Sequence, residues 1–147
     1  MPLAGDLQPA WAGQAQWRII QTDFEQAQDF LAAWTAWKAD SQRPGLLHFV
    51  AFCPEAARPE DLGGSRLPGG AQFECLEALR RQWWGLVPGV HRLVFEGGRV
   101  LLTLGIGDTL HWLQQQESPA DGILLTGAAV STDDPAFCRA VVRCSRR

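Results

Sequence analysis

Between Gly45 and Pro54 the chain reads Leu46-Leu47-His48-Phe49-Val50-Ala51-Phe52-Cys53, an apolar run broken by a single polar residue. A strand with one wet face alternates apolar and polar residues. This one does not, so both its faces need cover, as inside a parallel sheet flanked by helices. The neighbouring segments supply that setting. Trp17 to Thr22 reads as a first strand. A helix is predicted over 24–38, because Phe24, Ala27, Phe30, Leu31, Trp34 and Trp37 recur at three- and four-residue intervals. Asp23 is its expected N-cap, with Gln26 at the reciprocal capping position. Beyond the strand at 46–53, a Pro/Gly-rich loop runs from Arg58 to Gly70, and a helix is predicted over 71–84 with Gly85 as its C-terminal cap. His91–Phe95 and Arg99–Leu104 flank Glu96-Gly97-Gly98 and predict a β-hairpin. Asp108 is placed to cap a short helix over 109–116. Ile123–Thr126 reads as a further parallel strand, and Asp133-Asp134 precede a last helix over 135–144 with Pro135 in its first turn. Strands alternating with helices predict an α/β sheet with right-handed crossovers.

The length of 147 residues suits one domain, taken as 14–147 behind a loose arm over 1–13 that holds Pro2, Gly5, Pro9 and Gly13. A hydrophobic share of 46% supports a core and excludes global disorder. A net charge of -3 gives no general attraction for phosphate backbones. The basic residues Arg139, Arg143, Arg146 and Arg147 cluster at the end of the last helix, which reads as a solvated helix terminus rather than an RNA site. No run reaches the ~18 apolar residues of a membrane span, and Met1–Gly13 lacks the layout of a secretory signal. Cys53, Cys75, Cys138 and Cys144 show neither zinc nor disulfide spacing, which fits free thiols and a cytoplasmic setting.

In a nucleotide-binding α/β domain the turn after the first strand carries glycines, which let the backbone approach the ligand. Here that turn is Asp23-Phe24-Glu25-Gln26-Ala27, with none. The segment Gln21-Thr22-Asp23-Phe24-Glu25-Gln26-Ala27-Gln28-Asp29-Phe30-Leu31 resembles E-T-G-F-G-x-G-x-N-F-L. That pattern belongs to the methyltransferase domain of the bacterial bifunctional enzyme that makes 5-methylaminomethyl-2-thiouridine at the tRNA wobble position. Thr22, Phe24, Phe30 and Leu31 match, while Asp23, Glu25 and Ala27 stand at the three glycine positions. The resemblance continues in order through Leu47–Val50, Leu86–Leu93, Gly97–Val100, Gly107-Asp108, Ala120-Asp121, Thr126-Gly127 and Asp134-Pro135, over roughly residues 11–144.

The resemblance implies a truncated Rossmann-like methyltransferase fold: a mostly parallel sheet, helices on both faces and one β-hairpin, without the family's later strands. It also implies where S-adenosylmethionine would sit. That site takes a glycine turn, an acid after the second strand and a polar residue after the third. The glycine turn is lost. Phe52-Cys53-Pro54 places Cys53 at the position of the acid, with Glu55 nearby. Only Gly107 and Asp108 survive as cofactor-binding candidates, and Asp108 reads first as a helix cap and only second as a ligand contact. In the family's D-G-F-x-P-x-x-N-P-like catalytic loop, the Asp is Thr126, the Phe is Ala128 and the first Pro is Val130. Gly127 and Pro135 alone remain. No catalytic residue is assigned.

The three histidines, His48, His91 and His111, have no carboxylates spaced to make a metal site. Most of the seven tryptophans lie on apolar stripes, with Trp11 and one of Trp83 or Trp84 expected at the surface. The leading expectation is a non-catalytic, methyltransferase-like structural or interaction module with no cofactor. The alternative is an active S-adenosylmethionine-dependent tRNA methyltransferase with a divergent site. Residues 122–126 are expected at a sheet edge. Their apolar backbone there invites pairing with a second copy or a partner protein, unless the 1–13 arm covers it.

Overall fold

The computed structural model describes residues 10–64, 68–127, 130 and 133–145. Five strands, β1 (Gln16–Gln21), β2 (Leu46–Cys53), β3 (Gly89–Phe95), β4 (Val100–Ile106) and β5 (Gly122–Leu124), form one sheet in the order β3-β4-β2-β1-β5. The pairs β1–β2, β2–β4 and β1–β5 are parallel. The pair β3–β4 is the antiparallel hairpin expected around Glu96–Gly98. The helices are α1 (Gln28–Ala39), α2 (Gly70–Gln82), α3 (Thr109–Gln114) and α4 (Pro135–Cys144).

Successive strand residues point to opposite faces, and each face has its own cover. On one, Ile19, Leu47, Phe49, Ala51, Leu102 and Leu104 pack with α1 and α2. On the other, Ile20, Val50 and Phe52 pack with Leu113 of α3 and Phe137, Ala140 and Cys144 of α4. This two-sided cover explains the unbroken apolar run of β2. The second face is covered least at β3, the outer strand of the hairpin, whereas α3 reaches β4 through Trp112 against Gly105. Val90 and Val94 of β3 are therefore 56% and 47% exposed.

The helical stripe behaves as expected, with Phe24, Ala27, Phe30, Leu31, Trp34 and Trp37 all buried. The start of α1 does not. The helix begins at Gln28, its N-cap is Ala27, and no side chain caps it. Asp23 instead accepts a hydrogen bond from the Glu25 N–H at 3.0 Å, closing a turn ahead of the helix. Neither the Asp23 cap nor the Gln26 capping position forms. Helix α2 ends at Gln82 with Trp83 as its C-cap, so the left-handed Gly85 lies beyond the cap it was expected to form. Asp108 and Asp134 do cap α3 and α4, accepting from the N–H groups of His111 and Ala136.

Trp84 is 78% exposed, in line with one member of its pair being at the surface. Trp11 corrects the other half of that expectation. It is fully buried, and its indole N–H donates to Asp40 Oδ2 at 2.6 Å. The part of the arm up to residue 9 lies outside the described residues.

Candidate functional site

The parallel strands β1, β2, β4 and β5 end on the same side of the sheet. The order of connection reverses at β1, which lies between β2 and β5. In open α/β sheets ligands bind at the carboxyl ends beside such a reversal. Four loops meet there, led by Thr22-Asp23, Pro54, Gly107-Asp108 and Leu125-Thr126.

The turn after β1 is firmly anchored. The N–H of Phe24 donates to Phe52 O at 2.8 Å, that of Ala27 to Phe24 O at 3.0 Å, and that of Gly63 to Gln26 O at 2.7 Å. Within this frame Glu25 has φ of 56° and Ala27 has φ of 71°. Both are left-handed, a region that costs an L-residue with a Cβ roughly 1–2 kcal/mol. These are two of the three positions where the resembled pattern has glycine. The turn therefore keeps a glycine backbone while carrying side chains. Its carboxylates would also repel a ligand carboxylate lying against the turn. Partial burial, then the neighbouring carboxylates of Asp23 and Asp29, push the Glu25 carboxyl above its ordinary value. Replacing Glu25 with Gly relieves the left-handed strain and is partly offset by the added freedom of the unfolded chain. A gain of about 0.5 kcal/mol is expected, a rise in thermal midpoint of ~1–2 °C. A lowered midpoint in a thermal melt would show that the Glu25 side chain holds the turn.

After β2, Cys53 is buried. Burial, and then the Asp23 carboxylate, push its thiol up to about 11. A thiol held neutral gives a ribose no charged acceptor. Glu55 is exposed. After β4, Gly107 donates its N–H to Cys53 O at 2.9 Å, and Asp108 is an exposed helix cap. The structure thus gives Asp108 the capping role, with its Oδ2 engaged to the His111 N–H at 3.0 Å.

The loop after β5 is clasped onto β1. The hydroxyl of Thr22 donates to Thr126 O at 2.7 Å and accepts from Thr126 N–H at 2.8 Å. The Thr126 hydroxyl in turn donates to Asp23 O at 2.8 Å. At the position of the first Asp in the resembled loop, Thr126 is thus a structural link. Gly127 lies against Asp23 so closely that a β-carbon on it would stand 2.3 Å from Asp23 Cβ. Ala128, Ala129, Ser131 and Thr132 of this loop lie outside the described residues.

No family model matches the chain, but curated proteins do. The tRNA 5-methylaminomethyl-2-thiouridine biosynthesis bifunctional protein MnmC of Paracidovorax citrulli is 47% identical over 142 residues, covering 94% of this chain. Its counterpart in Verminephrobacter eiseniae is 52% identical over 112 residues, 75% of the chain. The chain belongs to the MnmC family. It spans only 22% and 18% of the length of those two MnmC proteins. The crystal structure of MnmC2 from Aquifex aeolicus matches 97% of this chain and 44% of its own, with a TM-score of 0.67 at 16% identity, a likeness of fold. The resemblance to an MnmC methyltransferase domain and the Rossmann-like fold both stand.

The clasp of Thr22, Thr126 and Asp23 was not legible beforehand, because its members lie about a hundred positions apart and a threonine at a strand end has no distinctive pattern. Of the terminal basic cluster, Arg143 has a local role, while Arg146 and Arg147 lie outside the described residues. Arg143 donates to the carbonyls of Leu113, Gln114 and Gln116, closing the C-terminal end of α3. Among the described residues no three His, Cys, Asp or Glu are placed to hold a metal, and no helix is long and apolar enough to cross a membrane.

Proposed function

We propose that this chain is a non-catalytic, methyltransferase-like module of the MnmC family, acting through protein contacts in the cytoplasmic setting of tRNA wobble-uridine modification. The observation that carries the reading is the β1–α1 turn, in which Glu25 and Ala27 occupy left-handed backbone normally left to glycine. S-adenosylmethionine does not fit the residues present. Glu25 brings a carboxylate beside Asp23 and Asp29, Cys53 offers no acid, and the Thr22 hydroxyl is consumed by Thr126. The loss of several such contacts, at about 1–3 kcal/mol each, removes a micromolar affinity worth ~8 kcal/mol. Calorimetry with S-adenosylmethionine and S-adenosylhomocysteine is therefore expected to give no binding at about ten micromolar. Saturable heat below that concentration would establish the alternative, an active tRNA methyltransferase with a divergent site.

The contact surface in this reading is the outer edge of β5. That strand ends the sheet, and Leu125 just beyond it is 48% exposed. An apolar edge with unpaired N–H and C=O groups pairs readily with another strand. The expected result is a concentration-dependent dimer, or a heterocomplex, that slows amide exchange at 123–125. A monomer by light scattering, with those amides exchanging freely at high concentration, would remove this surface from the proposal.

A further inference from the structure

At the amino ends of the strands, far from the crevice above, a cleft of about 370 Å³ opens between the partly covered sheet face and the Gln115–Asp121 loop. Its floor is a polar strip on a face that is otherwise apolar. Arg18 of β1 stands opposite His48 of β2 in the parallel register. Thr103 of β4 is diagonal to His48 and directly opposite Arg92 of β3. His48 Nε2 and Thr103 Oγ1 share a hydrogen bond of 2.9 Å. Four polar residues thus cross four adjacent strands, beside Ile20, Val50 and Phe52.

The two arginines have different settings. Arg18 is held by the loop: its guanidinium donates to the Ser118 carbonyl and, at 2.7 Å, to Gln116 Oε1, while its backbone N–H donates to Asp121 Oδ2 at 2.9 Å. Arg92 is exposed, and no hydrogen bond or ion pair joins it to another described residue. Two carboxylates also line the cleft. Asp121 is engaged with the Arg18 backbone, and Glu117 is exposed. Burial, then Arg18, then Arg92 bring the His48 imidazole down to about 4, so it is neutral at pH 7.

We propose that this cleft binds a phosphate group, with Arg92 as the donor fork, Arg18 as a fixed positive wall, and the His48 imidazole, steadied by its hydrogen bond to Thr103, as the floor. A volume of about 370 Å³ suits a small ligand. A guanidinium fork matches phosphate oxygens better than a point charge does. The inference does not depend on the reading of the carboxyl-end crevice.

The test is an NMR titration of the whole chain with inorganic phosphate at low ionic strength, following the His48 ring and the Arg18 and Arg92 guanidinium signals. Saturable shifts with a Kd of roughly 1–10 mM are expected. Arg92→Gln should weaken binding about tenfold and Arg92→Lys less, since lysine keeps the charge and loses the fork. Arg81→Gln, at an exposed arginine on α2 that does not line the cleft, should leave binding unchanged. A nucleoside monophosphate and a short RNA oligonucleotide then separate the sources of the phosphate. Tighter binding of the monophosphate alone assigns a free nucleotide, and tighter, steeply salt-dependent binding of the oligonucleotide assigns a polynucleotide backbone. No saturable shift with phosphate, or equal losses in Arg92→Gln and Arg81→Gln, would overturn the proposal.

Discussion

Replacing Phe30 with Ala is expected to lower the free energy of unfolding by about 3–5 kcal/mol. Phe30 is fully buried where α1 meets the sheet. Its ring lies 5.3 Å from that of Phe49 on β2, 5.6 Å from Trp34, 5.9 Å from Phe95 on β3 and 6.0 Å from Phe24. Truncation removes the contacts of one ring with four others and leaves a cavity bounded by a helix and two strands, which cannot collapse together. Domains of this kind are stable by only ~5–15 kcal/mol, so the loss is a large share of the total. Urea unfolding followed by tryptophan fluorescence measures it. A loss under about 1 kcal/mol would mean that the aromatic cluster repacks as a fluid group rather than as a fixed one.

Gly127→Ala is the second large expected effect, at roughly 2–4 kcal/mol of destabilisation. Gly127 has φ of 86°, so any side chain there is strained, and the new β-carbon would meet Asp23 Cβ at 2.3 Å and Oδ2 at 2.4 Å. The clash falls on the clasp joining the β1 and β5 loops, so the damage should concentrate there. A double-mutant cycle isolates the cause. Asp23→Gly, which removes the β-carbon as well as the carboxylate, should alone cost about 1 kcal/mol, because the bond it loses to the Glu25 N–H is exposed and glycine frees the unfolded chain. Combined with Gly127→Ala it should recover about 1 kcal/mol or more of the loss. Additive effects would place the cost of Gly127→Ala in backbone strain alone.

The alternation of strands and helices was legible because it rests on local periodicity. The run Leu46–Cys53 demanded cover on both faces, and two separate hydrophobic layers provide it. Asp108 and Asp134 were readable as caps because a carboxylate next to the first helical N–H groups acts within its own turn. Asp23 looks the same in sequence but caps nothing. Tertiary contacts from Phe52 and Gly63 hold the turn so that α1 opens four residues later, at Ala27. Trp11 followed the same logic in reverse. It sits in a segment rich in proline and glycine, and a single distant acceptor, Asp40, gives its indole a buried place.

The α/β class, the hairpin, the helical stripe of α1 and the loss of glycine from the first turn are all short-range consequences of residue type and spacing. That this turn keeps its left-handed backbone under Glu25 and Ala27 emerges only once distant segments pack against it. The same holds for Thr126, which is bound to Thr22, and for Arg18, His48, Thr103 and Arg92, which line up across four strands. Those arrangements depend on which strands become neighbours. The order β3-β4-β2-β1-β5 is set by long-range burial that no local pattern encodes.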